Sequence, residues 1–140
     1  RNSRQRGIGG PDGFRAGLAE AGLSVAGEAI APAPSSIEAG RDGLASLLER
    51  LPDLDAAYFV SDDMAIGGYF HCLARGIAVP GGLALFGFNG LDVGRALPQP
   101  LSTVRTPRYE AGETATRLIL ADGPSVTVDI GFELIAGATT

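Results

Sequence analysis

Polar residues follow two apolar segments of the chain, at positions where they could hydrogen-bond with a small ligand. Ser61–Asp63 come directly after the apolar run Ala56–Val60, and Asn89 comes shortly after Leu83–Phe86. A small polyol could exchange hydrogen bonds with Asp62, Asn89 and a nearby arginine. Alternatively, the serine and the aspartate only cap a helix and Asn89 only turns the chain, since such residues are common caps and turn formers. Spacing alone leaves both interpretations open.

Helix and strand signals alternate along the first part of the chain and would bring those polar residues to one edge of a sheet. Helices are predicted from Pro11 to Gly22, from a cap at Ser35 or Ser36 to Pro52, and from Ser61 to Gly76. Strands are predicted at Val25–Ile30, Ala56–Val60 and Leu83–Phe86. Continuous apolar strands alternating with helices indicate an α/β fold with a parallel, doubly wound sheet. In such sheets ligands bind beyond the carboxyl ends of the strands.

The remainder of the chain has a different pattern. A loop with a short turn is predicted for Leu91–Pro100, a strand for Leu101–Arg105 and a helix from Pro107 to Leu120. Alternating apolar residues in Val126–Leu134 predict a half-exposed strand. Because doubly wound folds normally open with a strand and this chain opens on a helix, we expect it to be a fragment of something longer.

Composition favours one compact unit that does not itself bind nucleic acid. The 140 residues are 45% apolar and 19% charged, with a formal net charge of −5, whereas DNA-binding surfaces are basic. The single cysteine, Cys72, excludes an internal disulfide. No apolar run is long enough to cross a membrane and no signal peptide opens the chain. We expect a cytoplasmic location, although a secreted protein whose signal was removed would look the same.

The residues that could act in catalysis or bind a metal do not match the spacing of any known catalytic or metal-binding motif. His71 has no partner at ligand spacing, and Cys72 has no visible base, so a buried structural thiol is expected. Asp62 and Asp63 are adjacent in a helix and do not share a face, which makes them a poor acid–base pair. The glycine-rich Gly7–Gly10 follows no apolar strand and lacks the Lys-Ser/Thr of a phosphate loop. The sequence therefore predicts no enzyme, no cofactor and no metal site.

Four segments, in order along nearly the whole chain, resemble the lactose- and galactose-repressor family of bacterial transcription regulators. Phe59–Gly67 resembles the family segment F-x-x-N-D-x-x-A-x-G, and Gly76–Phe88 resembles G-x-x-V-P-x-D-x-x-x-x-G-F. Pro100–Arg105 resembles P-x-L-T-T-V, and Gly13–Leu18 resembles G-F-x-x-A-L. Within that family the chain is most similar to regulators of gluconate utilisation, in the segments Gly87–Gly94, Thr106–Arg108 and Asp129–Phe132.

The resemblance implies an incomplete two-lobed sensor domain like that of periplasmic sugar-binding proteins. Residues 1–105 would form most of its C-terminal lobe, residues 106–122 would belong to the N-terminal lobe, and residues 123–140 would form the returning strand and the tail. A helix-turn-helix domain, absent from this chain, would bind operator DNA. Binding of a sugar, sugar acid or polyol between the lobes would change the operator affinity, with no reaction and no membrane involved.

The resemblance also implies which residues contact the effector. The asparagine of the N-D motif is Ser61 here, the following aspartate is Asp62, and the polar residue after G-F is Asn89. A polar residue near the crossing between the lobes corresponds to Thr106. The effector-contacting arginine matches Arg6 if the chain follows the gluconate type, whereas the usual family spacing falls on Gly10. An arginine there would form a charge-assisted pair with a sugar acid.

The resemblance implies a homodimer as well, formed through one helix and a nearby loop. The residues that match the dimerising positions are Ile66, Tyr69, Phe70 and Leu97. Core packing is an equally plausible role for each of these apolar side chains.

Two functions of different classes compete with the expected one. The main interpretation is an effector-sensing and dimerisation domain of a DNA-binding transcription regulator, expected to be a repressor. A periplasmic sugar-binding protein of a transporter has the same fold, and a signal sequence on the full chain would favour it. An enzyme on a doubly wound sheet would need a nucleophile, metal cluster or phosphate loop, none of which is found.

Overall fold

The computed structural model describes residues 10–31, 34–121 and 123–140. The helices are α1 (Gly10–Glu20), α2 (Ile37–Arg50), α3 (Asp62–Arg75), α4 (Asp92–Arg95) and α5 (Arg108–Leu120). The strands are β1 (Ala56–Tyr58), β2 (Ala84–Asn89), β3 (Ser102–Arg105) and β4 (Glu133–Ile135). Two helices come first, and from β1 to α5 strands and helices alternate, as the sequence predicts for that part of the chain.

One four-stranded sheet in the order β1-β2-β3-β4 organises the fold. The first three strands are parallel, and β4 runs antiparallel to β3. The expected α/β fold with a parallel sheet is therefore confirmed. Its carboxyl edge is formed by the ends of β1, β2 and β3, at Tyr58, Asn89 and Arg105.

Helices α2 and α3 cross at a contact that requires two glycines. A Cβ on Gly67 would lie 1.9 Å from the Ile37 carbonyl oxygen, and a Cβ on Gly40 would lie 2.0 Å from the Met64 carbonyl oxygen. No side chain fits at such distances, so the two backbones touch. This close crossing fixes the first turn of α3, and therefore Ser61 and Asp62, relative to the sheet.

The core lies between α2, α3 and one face of the sheet. Its buried apolar residues are Leu44, Phe59, Ala65, Ile66, Tyr69, Cys72, Leu83, Leu85, Leu97 and Leu101. On the opposite face, Phe14 of α1 stacks on Tyr58 with ring centroids 4.7 Å apart. Both faces of the sheet thus carry helices, as parallel strands require.

Two strand predictions are wrong, one entirely and one in part. Val25–Ile30 forms no strand, although its side chains alternate between half-buried and exposed as in a strand. The segment lies against α2, where Arg50 donates to the Glu28 carbonyl (3.0 Å), and it has no neighbouring strand among the described residues. Without a ladder partner an extended segment is not a strand. The last prediction, Val126–Leu134, reduces to Glu133–Ile135, because only these residues pair with β3.

The predicted helices agree more closely with the structure. Ser36, and not Ser35, caps α2, because its Oγ accepts from the Ala39 N–H at 3.0 Å. The loop predicted after Leu91 contains the short helix α4.

Candidate functional site

The carboxyl edge of the sheet brings together three of the four described residues predicted to contact an effector. Asn89 ends β2 and pairs in register with Arg105, which ends β3. Thr106 follows Arg105 directly, while Ser61 lies between the end of β1 and the start of α3. This edge also receives the positive N-terminal end of α3, an arrangement that suits acceptor oxygens of a ligand. Arg6 lies outside the described residues.

Ser61 caps α3. Its Oγ accepts from the Met64 N–H at 3.4 Å, and the residue is 5% exposed. The backbone at Ser61 is extended, the usual conformation of an N-cap residue. The capping role considered from the sequence is thus present, and the hydroxyl hydrogen remains free to point elsewhere because the cap uses the oxygen only as an acceptor.

Asp62 is the most enclosed of the predicted residues, with no exposed surface. Its Oδ2 accepts from the Leu91 N–H at 2.6 Å, and its Oδ1 accepts from the Thr103 hydroxyl at 2.6 Å. The carboxylate therefore joins α3 to the loop after β2 and to β3. Neither Leu91 nor Thr103 was predicted as part of the site, because both contacts connect residues at least 29 positions apart.

Asn89 has an unusual backbone conformation. Its φ of 113° is the only positive φ of a non-glycine residue in the part of the chain that the structure describes, and Gly90 follows with φ of 69°. Positive φ is costly for a side-chain-bearing residue and concentrates at functional positions. Asn89 is half-buried at the edge, so its side chain is partly open to solvent there.

Arg105 is a charged residue at this edge that was not among the predicted effector contacts. It forms an ion pair with Glu133 of β4, and both side chains are about half exposed. Its position as the last residue of a strand, next to the predicted Thr106, is the signal that could have identified it. Thr106 itself is half-buried, and its carbonyl accepts from the Arg108 N–H at 2.8 Å where α5 begins.

The residues predicted to form a dimer interface divide into two groups. Ile66 (1% exposed), Tyr69 (0%) and Leu97 (9%) belong to the core of this chain. The Tyr69 hydroxyl donates to the side chain of Gln99, which ties α3 to the loop after α4. Of these four residues, only Phe70, 45% exposed, presents an apolar surface to solvent.

Metal binding, thiol reactivity and membrane crossing were considered for the described residues. No three His, Cys, Asp or Glu side chains cluster in ranges 10–31, 34–121 and 123–140. Cys72 is buried, and burial raises the pKa of its thiol, which keeps the sulfur in its unreactive protonated form. A helix that is both long and apolar enough to cross a membrane is not found among the described residues.

The chain was compared with protein families and with solved structures. A family model described as a periplasmic binding protein-like domain matches residues 2–140. The architecture is therefore that of a periplasmic binding protein-like domain. The crystal structure of the transcription regulator GntR from Chromobacterium violaceum superposes with a TM-score of 0.84 and 39% identity, covering 92% of this chain and 50% of that chain.

The similar curated proteins are HTH-type transcriptional regulators. The HTH-type transcriptional regulator GntR of Pseudomonas aeruginosa is 38% identical over 135 residues, which cover 92% of this chain and 39% of that protein. The HTH-type transcriptional regulator IdnR of Escherichia coli is 36% identical over 110 residues, 75% of this chain and 33% of that protein. The chain belongs to the LacI family of transcriptional regulators, as part of its periplasmic-binding-protein-like domain. It spans about two fifths of the length of the Pseudomonas aeruginosa relative and one third of the length of the Escherichia coli relative.

Proposed function

We propose that this chain senses a small effector for a DNA-binding transcription regulator, with the effector bound at the carboxyl edge of the sheet. The observation that carries the proposal is the pairing of Asn89 with Arg105 beside the N-terminus of α3, in a chain of this family. An amide, a guanidinium and a hydroxyl at one edge can bind the hydroxyls and the carboxylate of a sugar acid. No residue at this edge needs to perform a reaction, so the proposed role is binding alone.

The effector class is a sugar, a sugar acid or a polyol, with gluconate as the first candidate from the resemblance given above. Arg6 is proposed as the cation that pairs with the carboxylate of a sugar acid. Arg105 is the second cation available, because its ion pair with Glu133 is solvent-exposed and therefore weak. Arg6→Ala should weaken binding of sugar acids more than binding of neutral sugars.

Residues 106–122 are proposed to belong to a second lobe that closes over the effector. Support comes from α5, which has no buried residue although it carries Leu118, Ile119 and Leu120. A helix whose apolar last turn has no partner among the described residues fits a segment that packs elsewhere in the longer protein. Closure of the two lobes on an effector would favour one conformation of the regulator and so change its operator affinity.

Operator binding is assigned to a domain outside this chain. The net charge of −5 disfavours DNA contact by these residues, while the relatives are HTH-type regulators. We also propose a cytoplasmic homodimer formed through the exposed face of α3 that carries Phe70 and Leu73. A monomeric mass for the complete protein by light scattering would contradict the dimer.

A calorimetric and thermal-shift screen of the complete protein tests the effector proposal. The panel holds gluconate, related sugar acids, neutral sugars and polyols. We expect saturable binding of one ligand, weakened at least about tenfold by Asn89→Ala, because a buried hydrogen bond to the effector is lost. Asp53→Ala, an exposed substitution near the amino end of β1, is the matched control and should leave the affinity unchanged. A well-folded protein that binds nothing in the panel would contradict the proposed effector class.

A further inference from the structure

The buried carboxylate of Asp62 faces the interior of the lobe, and its two oxygens are already engaged. One oxygen accepts from the Leu91 N–H and the other from the Thr103 hydroxyl, both at 2.6 Å. A Cβ on residue 87 would lie 2.2 Å from Asp62 Oδ1, so only glycine at position 87 leaves room for the carboxylate. With no exposed surface, Asp62 is badly placed to touch a ligand that arrives from solvent.

Asp62 binds Leu91, which follows directly after Asn89 and Gly90. Asn89 and Gly90 adopt consecutive positive φ angles of 113° and 69°. On one side this turn is held by the ladder that pairs Asn89 with Arg105. On the other side the Leu91 N–H is held by Asp62. An asparagine remains in such a conformation only when its surroundings fix it, and these two attachments do so.

We propose that Asp62 is a positioning residue, which holds Asn89 in its effector-binding conformation through Leu91 and does not itself contact the effector. This inference rests on the proposed function for its binding readout. It differs from the expectation that the sequence raised, in which Asp62 is an effector ligand.

Three substitutions in the complete protein separate the possible roles. Asp62→Asn keeps the shape of the side chain: its Oδ1 can accept from Leu91, while its amide donates to Thr103, whose hydroxyl can also accept. Asp62→Ala removes the attachment of Leu91. Thr103→Val is the matched control, because it removes the other bond to Asp62 and leaves the bond to Leu91 in place.

Affinity for gluconate, or for the panel ligand that binds, is the first readout. We expect Asp62→Asn to stay within about threefold of the wild type and Asp62→Ala to lose about tenfold or more. Thr103→Val should lower the melting temperature and leave the affinity within about threefold. A tenfold loss in Asp62→Asn would overturn the proposal in favour of direct contact. Equal affinities in Asp62→Ala and Thr103→Val would overturn it in favour of a purely structural role.

A second readout needs no ligand, so its failure is distinct from failure of the proposed function. Amide hydrogen exchange at Leu91 and the backbone coupling constants of Asn89 should change in Asp62→Ala and stay the same in Thr103→Val. An unchanged conformation of residues 89–91 in Asp62→Ala would overturn the positioning role even if no ligand of the panel binds. If Asp62→Ala does not fold, Leu91→Pro replaces it, with the affinity and the Asn89 coupling constants as its readouts, because proline has no amide hydrogen. The φ of −69° at Leu91 suits proline, whose ring carbon takes the place of the N–H and breaks the contact with Asp62 Oδ2.

Discussion

The sheet half of the chain (residues 37–105) and the crossing segment (residues 106–121 and 123–132) have similar apolar residues and very different burial. In the sheet half, Tyr69 and Leu85 have no exposed surface. In the crossing segment, Tyr109 is 80% exposed, Ile119 79% and Phe132 74%. Apolar composition therefore does not by itself produce a core. Burial requires a second layer, which α2 and α3 supply in the sheet half and no described element supplies for the crossing segment.

A pair of glycine substitutions, one in each region, should show the largest difference in stability between the two regions. Gly67→Ala places a methyl group 1.9 Å from the Ile37 carbonyl oxygen, so we expect the free energy of unfolding to fall by about 3 kcal/mol. Gly112→Ala, in the middle of α5, meets nothing within 4 Å. It should leave stability unchanged or raise it by up to about 1 kcal/mol, because alanine favours helix. Urea unfolding measures both, and equal effects would contradict the close crossing of α2 and α3.

A pair of threonine substitutions should show a smaller difference in stability. The buried Thr139 hydroxyl donates to the Leu85 carbonyl at 2.7 Å and accepts from the Ser102 N–H at 2.9 Å. Thr139→Val removes the buried hydroxyl that bonds both groups, so we expect a loss of about 2 kcal/mol. Thr127→Val, at an exposed position of the crossing segment, should change stability by less than about 0.5 kcal/mol. In the 140-residue chain, a loss at Thr127 equal to that at Thr139 would contradict the difference in burial between the two regions.

The sequence predicted the sheet half well because its signals are local. Continuous apolar runs indicated β1 and β2, and the caps at Ser36 and Ser61 lie within the predicted helix starts. The strand predictions at Val25–Ile30 and Val126–Phe132 were wrong. A period of two predicts an extended backbone but does not reveal whether a neighbouring strand is present to pair with it.

The candidate site was predictable in its location and only partly in its contacts. The ends of β1 and β2 follow from the order of elements, so Ser61 and Asn89 could be expected at one edge. The attachment of Asp62 to Leu91 and Thr103 could not, because it depends on how α3 packs over β2 and β3. The positive φ at Asn89 has no clear sequence signal beyond the Asn-Gly pair, which is common in turns.

Amide chemical shifts of the complete protein, recorded while gluconate is added, test whether the effector binds at the carboxyl edge of the sheet. We expect shifts that saturate with added ligand at Ser61, Asn89 and Thr106. Ala56 and Ala84, which pair at the amino edge, should not shift. If gluconate, or whichever sugar acid, sugar or polyol binds, shifted the amino edge and left Asn89 unchanged, the proposed effector site would be contradicted.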